Sequence, residues 1–234
     1  VKPMPEDWER AVAVVAHPDD LEYGAASAVA RWTSQGKKVS YLLATRGEAG
    51  IAGMAPAEVG PLRVKEEQRS AAVVGVTEVE FLDHVDGLVE YGIPLRRDLA
   101  AAFRRLLPDV VITSTFDLTW AEEGPVNHAD HRAVGLAVLD ACRDAANEWV
   151  FPEAGPPCPS IDAAYVITSS EPTHFVDVTD TIDLGIASLR EHRAYIDGLG
   201  RDFDPDEFLR SIAGYVGLGA GCEYAVSMHR YPMG

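Results

Sequence analysis

Residues 11–16 (AVAVVA) run without a polar break into His17-Pro18-Asp19-Asp20. A short Ala/Val run with no polar alternation is the pattern of a strand buried on both faces, as in the middle of a parallel sheet. Pro18 cannot donate to a sheet ladder, so residues 17–20 form the turn at the strand's carboxyl end. In open α/β sheets ligands bind at that edge. One imidazole and two carboxylates therefore stand where an α/β protein does its chemistry.

Farther along, small and apolar residues at helical spacing predict a helix over 24–35, with Gly36 placed to cap it. A second strand follows at 39–44 and ends in the polar loop 45–50 (TRGEAG). Residues 58–74 read as a helix after Pro61, closed by Gly75, and 79–82 (VEFL) as a third strand followed by the loop 83–87. The stretch 95–107 is amphipathic at a helical period and is stopped by Pro108. A fourth strand at 110–115, a long polar loop at 116–127 and a helix at 131–146 complete the regular part.

Strands alternating with helices give right-handed βαβ units and a Rossmann-like, doubly wound, mostly parallel sheet flanked by helices. The last third is less regular. Residues 149–160 hold four prolines and read as an irregular excursion, a lid or an oligomer contact. Strands at 163–169 and 175–178 and helices at 182–198 and 205–216 follow, with room for antiparallel strands added at an edge. No repeat or linker divides the chain, so residues 1–234 are expected to form a single domain.

The net charge of −17 argues against a nucleic-acid or anionic-membrane partner. The 3 cysteines, Cys142, Cys158 and Cys222, lie far apart, which fits a reducing compartment and not a disulfide framework. The first residues lack the pattern of a signal peptide, and no stretch approaches the roughly 20 apolar residues of a membrane span. The expectation is a cytoplasmic protein with a small-molecule substrate.

Every strand of the regular part is followed by a polar loop, and this architecture puts those loops on one side of the sheet. The HPDD turn can therefore meet His128-Ala129-Asp130-His131. A divalent cation is the natural reason to bring them together, since a catalytic zinc takes three imidazole or carboxylate ligands and leaves a position for water. His17, Asp19, Asp20 and the His128/His131 pair compete for three places. One of Asp19 and Asp20 is left facing the water, as a general base requires. One of His128 and His131 is left to donate to a developing oxyanion.

Together AHPDD, TRGEAG and NHADHRAVG, over roughly residues 10–146, resemble the LmbE-like, or PIG-L, family of zinc-dependent de-N-acetylases. The resemblance implies that His17, Asp20 and His131 are the zinc ligands and that Asp19 is the base. It implies that His128 polarises the amide carbonyl, and that the substrate is an N-acetylated amino sugar or a glycoside of one. It also implies a possible homo-oligomer. Ala129 stands where the family commonly has Pro, and Leu21 where it often has Glu; neither change removes a ligand or the base. Iron or another divalent ion would also suit a His/Asp/His set.

Other residues are candidates for contacting substrate. Arg46 and Glu48 either line the pocket or salt-bridge their loop, and Asp86 either meets a sugar hydroxyl or makes an Asx turn before Gly87. Arg63 opens a charged helix, either reaching the pocket or lying on a solvated face. Trp120, Glu122 and Glu123 would shape the pocket. His192 stands in a weakly family-like pattern, whereas His84, His174 and His229 read as structural. Two alternatives remain beside deacetylation of an amino sugar: an amidase acting on a larger thiol or natural-product conjugate, and a non-catalytic sugar-binding protein. A nucleotide-binding fold is excluded, because HPDDLEYG offers no GxGxxG to cradle a pyrophosphate.

Overall fold

The computed structural model describes residues 1–120, 123–159, 161–200 and 202–233. In chain order the strands are β1 (Lys2–Pro3), β2 (Arg10–Val15), β3 (Lys38–Leu43), β4 (Glu78–Phe81), β5 (Val110–Ser114), β6 (Ala163–Ile167), β7 (His174–Asp177) and β8 (Ala225–Pro232). The helices are α1 (Ala26–Ser34), α2 (Pro56–Val73), α3 (Ile93–Leu106), α4 (Ala129–Ala146), α5 (Ile182–Leu189), α6 (Arg193–Gly198) and α7 (Pro205–Ala220). Among the described residues the strands form one sheet in the order β1-β7-β8-β6-β5-β2-β3-β4.

The central strand is β2, paired in parallel with β3 on one side and β5 on the other. From Ala11 on, its side chains alternate between two cores, which is why each of those positions must be apolar. Ala11, Ala13 and Val15 join a cluster with Ala28, Val29 and Trp32 of α1. Val12, Val14 and Ala16 join another with Leu99 and Phe103 of α3 and Val134 and Val138 of α4. Burying one Val side chain contributes about 1.5–3 kcal/mol, so a polar residue here would cost a large part of a domain's stability.

From β2 the chain winds outward through β3 and β4, then crosses back to β5 and winds the other way through β6. The strand order thus reverses between β2 and β5, and a crevice opens beyond their carboxyl ends. The HPDD turn leaves β2 there, and the loop leading to α4 leaves β5.

The last third departs from expectation in three ways. Strand β8 is antiparallel to both neighbours but lies between β6 and β7 instead of at an edge. That leaves the outer place to β1, which pairs in parallel with β7. The helix expected over 182–198 is two helices, α5 and α6, because the chain turns inward at His192, which is fully buried. The proline-rich excursion contains a short 3-10 turn at Pro152–Ala154, and the Arg104 guanidinium pins it to α3 through the carbonyls of Asn147, Val150, Phe151 and Gly155. Arg104 holds it away from the crevice, and none of residues 149–159 lines the cavity described below, so it is not a lid over it. Ser160 and Glu122 lie outside the described residues. Among the described residues no helix is long and apolar enough to cross a membrane.

Candidate active site

The crevice is a cavity of about 910 Å³ whose polar end is lined by His17, Asp19, Asp20, Asp86, His128 and His131. Residues 17–20 turn tightly, with the Asp20 amide donating to the His17 carbonyl at 3.4 Å. Asp20 Oδ2 accepts from the amides of Ala16 and His17 at 3.1 and 2.9 Å, which aims its Oδ1 at His131 Nε2, 3.0 Å away. His17 Nδ1 lies 3.2 Å from that same nitrogen and 3.6 Å from Asp20 Oδ2.

The hydrogen-bond partners behind the rings decide what those facing atoms carry. Asn127 donates its amide to the carbonyls of Thr115 and Asp117, at 3.0 Å each, so its Oδ1 must be the atom facing His131 Nδ1 at 2.9 Å. His131 therefore carries its proton on Nδ1 and turns the Nε2 lone pair into the cavity. His17 Nε2 lies 2.9 Å from Asp86 Oδ1 and 3.1 Å from Asp130 Oδ2, so it donates there and leaves Nδ1 on the cavity side. Two imidazole nitrogens and a carboxylate thus converge, and the site demands positive charge at their meeting point. Burial opposes a proton on His17, but hydrogen bonds to Asp130, Asp20 and Asp86 outweigh it and push its pKa up to about 12.

This donor set fits a divalent ion. Bonds of about 2.0–2.2 Å in a tetrahedron put ligand atoms about 3.3–3.6 Å apart; His131 Nε2 stands slightly closer than that to His17 Nδ1 (3.2 Å) and to Asp20 Oδ1 (3.0 Å), and one ligand atom from each of the three residues lies within 4.8 Å of the others. Carboxylate and amide partners on the far ring nitrogens are the usual way a protein sets the tautomer of a metal-binding histidine.

Asp19 is buried and has a backbone φ of 83°, in the left-handed region that a non-glycine residue adopts only under constraint. Its amide donates to Glu67 Oε2 at 3.2 Å, and Arg63 Nη2 donates to its Oδ2 at 2.7 Å and to the Pro18 carbonyl at 2.6 Å. Burial pushes the Asp19 carboxyl up, Arg63 pulls it down and Asp20 pushes it up again, leaving it at about 6.

Arg63 is 2% exposed, so the solvated-face reading is wrong for it. It reaches the turn past Gly47 and Gly50, where any Cβ would collide with its Nη1. Gly47 also takes a φ of 63°. The glycines of TRGEAG are thereby explained.

His128 sits at the N-cap of α4, where its Nδ1 accepts from the Asp130 amide at 3.2 Å. The proton is therefore on Nε2, available as a donor. Its ring centroid lies 5.0 Å from that of His17 and 5.4 Å from that of His131. Burial, followed by His17, lowers its pKa, which keeps the ring neutral.

The remaining candidates are dispersed. Asp86 lines the cavity but is engaged behind His17 and by the Ala49 amide at 2.8 Å. Glu48 links the loops by accepting from the amides of Arg46 and Asp86. Arg46 itself pairs with Asp83 at 2.9 Å, and neither it nor Glu48 lines the cavity. Trp120 does, with its ring centroid 5.4 Å from that of His131, whereas Glu123 is exposed and does not.

His192 lies beneath the site, 3.6 Å from Glu22 Oε2 and 3.7 Å from Glu67 Oε2. Burial works against its charge, but Glu22, Glu67 and Asp19 outweigh that and raise its pKa to about 9. His84 pairs with Asp98, and neither it nor His174 or His229 lines the cavity.

Sequence reasoning missed Asp130, Asn127, Glu22, Glu67 and Tyr195. Tyr195 lines the cavity with its ring 4.3 Å from the Arg63 guanidinium carbon. Two of the five had a signal in spacing: Asn127 stands four residues before His131, and Glu67 shares a face of α2 with Arg63.

Comparison with known proteins places this sequence and fold among sugar deacetylases. Diacetylchitobiose deacetylase from Thermococcus kodakarensis is 28% identical over 97% of this chain and 84% of its own. A 1D-myo-inositol 2-acetamido-2-deoxy-alpha-D-glucopyranoside deacetylase from Rhodococcus erythropolis is 28% identical over 80% of this chain and 68% of its own. Among solved structures, N,N'-diacetylchitobiose deacetylase from Pyrococcus horikoshii superposes with a TM-score of 0.87 at 25% identity, covering 97% of this chain and 85% of that one. The family model described as PIG-L, GlcNAc-PI de-N-acetylase, matches residues 12–142, which hold β2 through most of α4 and all the candidate ligands, and this chain belongs to the PIG-L family.

Proposed function

We propose that the protein is a zinc-dependent N-deacetylase that hydrolyses the acetamide of an N-acetylated amino sugar or glycoside. The observation that carries the proposal is the meeting of His17 Nδ1, Asp20 and His131 Nε2 beside a buried, Arg63-held Asp19 at the strand-order reversal. His17, Asp20 and His131 would hold the ion. When bound, it supplies a Lewis acid and makes water acidic enough to deprotonate near neutral pH. Zinc is the assignment that suits the donor set best, and iron or another divalent ion would be accepted by the same side chains.

The chain's own groups supply the rest. Asp19 accepts the proton of the attacking water, with Arg63 holding one carboxylate oxygen so that the other faces the reaction. His128 donates Nε2–H to the carbonyl oxygen as negative charge develops there. Asp19 then returns its proton to the departing nitrogen, so acetate and a free amine leave. Trp120 and Tyr195 present aromatic faces to a sugar ring, and a cavity of about 910 Å³ has room for a glycoside.

The cavity's far end is apolar, lined by Tyr23, Phe203, Phe208, Leu209 and Ile212. That feature favours the second reading, cleavage of an amide on a larger, partly apolar conjugate by the same residues.

The test is release of free amine from a panel of N-acetylglucosaminides (an inositol glycoside, a malate glycoside and a chitin disaccharide) and one thiol conjugate. The expected result is Zn²⁺-dependent release from at least one sugar substrate. Release from the conjugate alone would move the assignment to the second reading, and silence across the panel would overturn both.

A further inference from the structure

Helix α2 buries a polar stripe. Arg63, Glu66, Glu67 and Ser70 fall at helical spacing on one face, and each is at most 2% exposed. A buried carboxylate is tolerated only where it is paired and hydrogen-bonded, so each of these side chains must have a task. Arg63 holds the Asp19 carboxylate and the Pro18 carbonyl, as described. Glu66 Oε1 accepts from the Ala194 amide at 2.7 Å and so fixes the start of α6, the helix that carries Tyr195. Ser70 donates to Glu22 Oε1 at 2.7 Å and meets Ser188 Oγ at 2.7 Å.

Glu67 reaches the HPDD turn itself. Its Oε2 accepts from the Asp19 amide, while His192 Nε2 stands 3.7 Å behind that oxygen and 3.6 Å from Glu22 Oε2. The arrangement answers the question that Asp19 raises. A left-handed aspartate at a functional turn costs of order 1–3 kcal/mol and persists only if its surroundings over-determine it. Arg63 restrains the side chain and the preceding carbonyl, and among the described residues the Asp19 amide is restrained by Glu67 alone.

We propose that Glu67, seated between His192 and the turn, is the positioning residue that holds Asp19 in its left-handed conformation and thereby places the general base. His192 and Glu22 lie behind it, with the one imidazole 3.6 Å from Glu22 Oε2 and 3.7 Å from Glu67 Oε2. Glu67 touches neither substrate nor ion. The inference rests on the proposed role of Asp19, and its structural half, the conformation of the turn, is separable from that role.

The test compares Glu67→Met with Glu67→Gln in the full chain. Methionine fills the space with only a weakly accepting thioether, whereas glutamine keeps an oxygen for the Asp19 amide. Glu67→Met is expected to lower kcat about 10²-fold, the scale of an ångström-sized misplacement, with KM and bound metal within about threefold of wild type. Glu67→Gln is expected to restore kcat to within about fivefold of wild type. Crystal structures are expected to show positive φ at residue 19 in the Gln variant and its loss in the Met variant.

Should Glu67→Met not fold, Glu67→Asp carries the same test, since it keeps the carboxyl group but withdraws the acceptor by one methylene. Wild-type kcat in the Met variant (or in the Asp variant, where that is used) overturns the proposal. So does an equal fall in the Met and Gln variants, or a residue 19 that stays left-handed without the acceptor. If wild-type protein turns over no N-acetyl substrate, the deacetylase reading fails, and the φ comparison still decides the role of Glu67.

Discussion

His17 Nε2 lies 3.1 Å from Asp130 Oδ2, a carboxylate that also accepts from the amides of Gly87 at 2.7 Å and Val89 at 3.1 Å. The loop after β4 is thus clamped to the first turn of α4, and His17 is locked with its other nitrogen toward His131. Outer partners of this kind typically alter metal affinity by 10–100-fold. Asp130→Asn, which keeps one oxygen and loses the charge, is therefore expected to weaken metal binding about 10–100-fold. Competition with a chromogenic chelator measures it; unchanged affinity would show that Asp130 serves only the loop.

His128 has two separable duties. Its Nδ1 caps α4, and its Nε2–H faces the cavity. His128→Asn keeps a capping side chain but is too short to donate at the same place. Its kcat is expected to fall about 10²–10³-fold, as for loss of one oxyanion donor, with bound metal unchanged. Steady-state kinetics and metal content together check this, and a variant with wild-type kcat would remove His128 from the reaction.

Stability should carry an acid dependence far from the site. Glu6 accepts from Arg31 Nε at 3.0 Å and Nη2 at 3.1 Å, from Trp32 Nε1 at 3.0 Å and from Gln35 Nε2 at 2.9 Å. Burial opposes its ionisation, but the bonds from Arg31 and Gln35 win and hold its carboxyl below the ordinary 4.5. A carboxyl with a depressed folded pKa adds stability above its unfolded pKa and loses it as pH falls through the folded one. Glu6→Gln is expected to cost about 1–2 kcal/mol at pH 7, with the difference from wild type shrinking below the ordinary pKa of 4.5. Urea unfolding at pH 7 and in acid measures this, and a difference independent of pH would contradict it.

The parts of the site legible in the sequence were those written in a single local turn. AVAVVAHPDD declares a buried strand and a polar turn together, and the βαβ alternation puts His131 beside it. The restraints behind the site were harder to see. Arg63 and Glu67 carry charge, and charged residues on a helix suggest solvent, yet their spacing is that of a buried face. Asp130 stands between two histidines and looks like a spacer until the fold brings His17 to it. The position of β8 between β6 and β7 is a fact of strand order, which no local pattern encodes. The break between α5 and α6 has no proline at its centre; it follows from His192 turning inward between two glutamates and from Glu66 capturing the Ala194 amide.

The most direct test of the account pairs Asp19→Ala with Asp20→Ala and measures bound metal and amine release in parallel, against wild type. Asp19→Ala is expected to retain its metal and lose activity by about 10²–10⁴-fold, the usual contribution of a general base. Asp20→Ala is expected to lose the metal and, with it, the activity. Full activity in Asp19→Ala, or undiminished metal in Asp20→Ala, would contradict the division of labour between these two adjacent carboxylates.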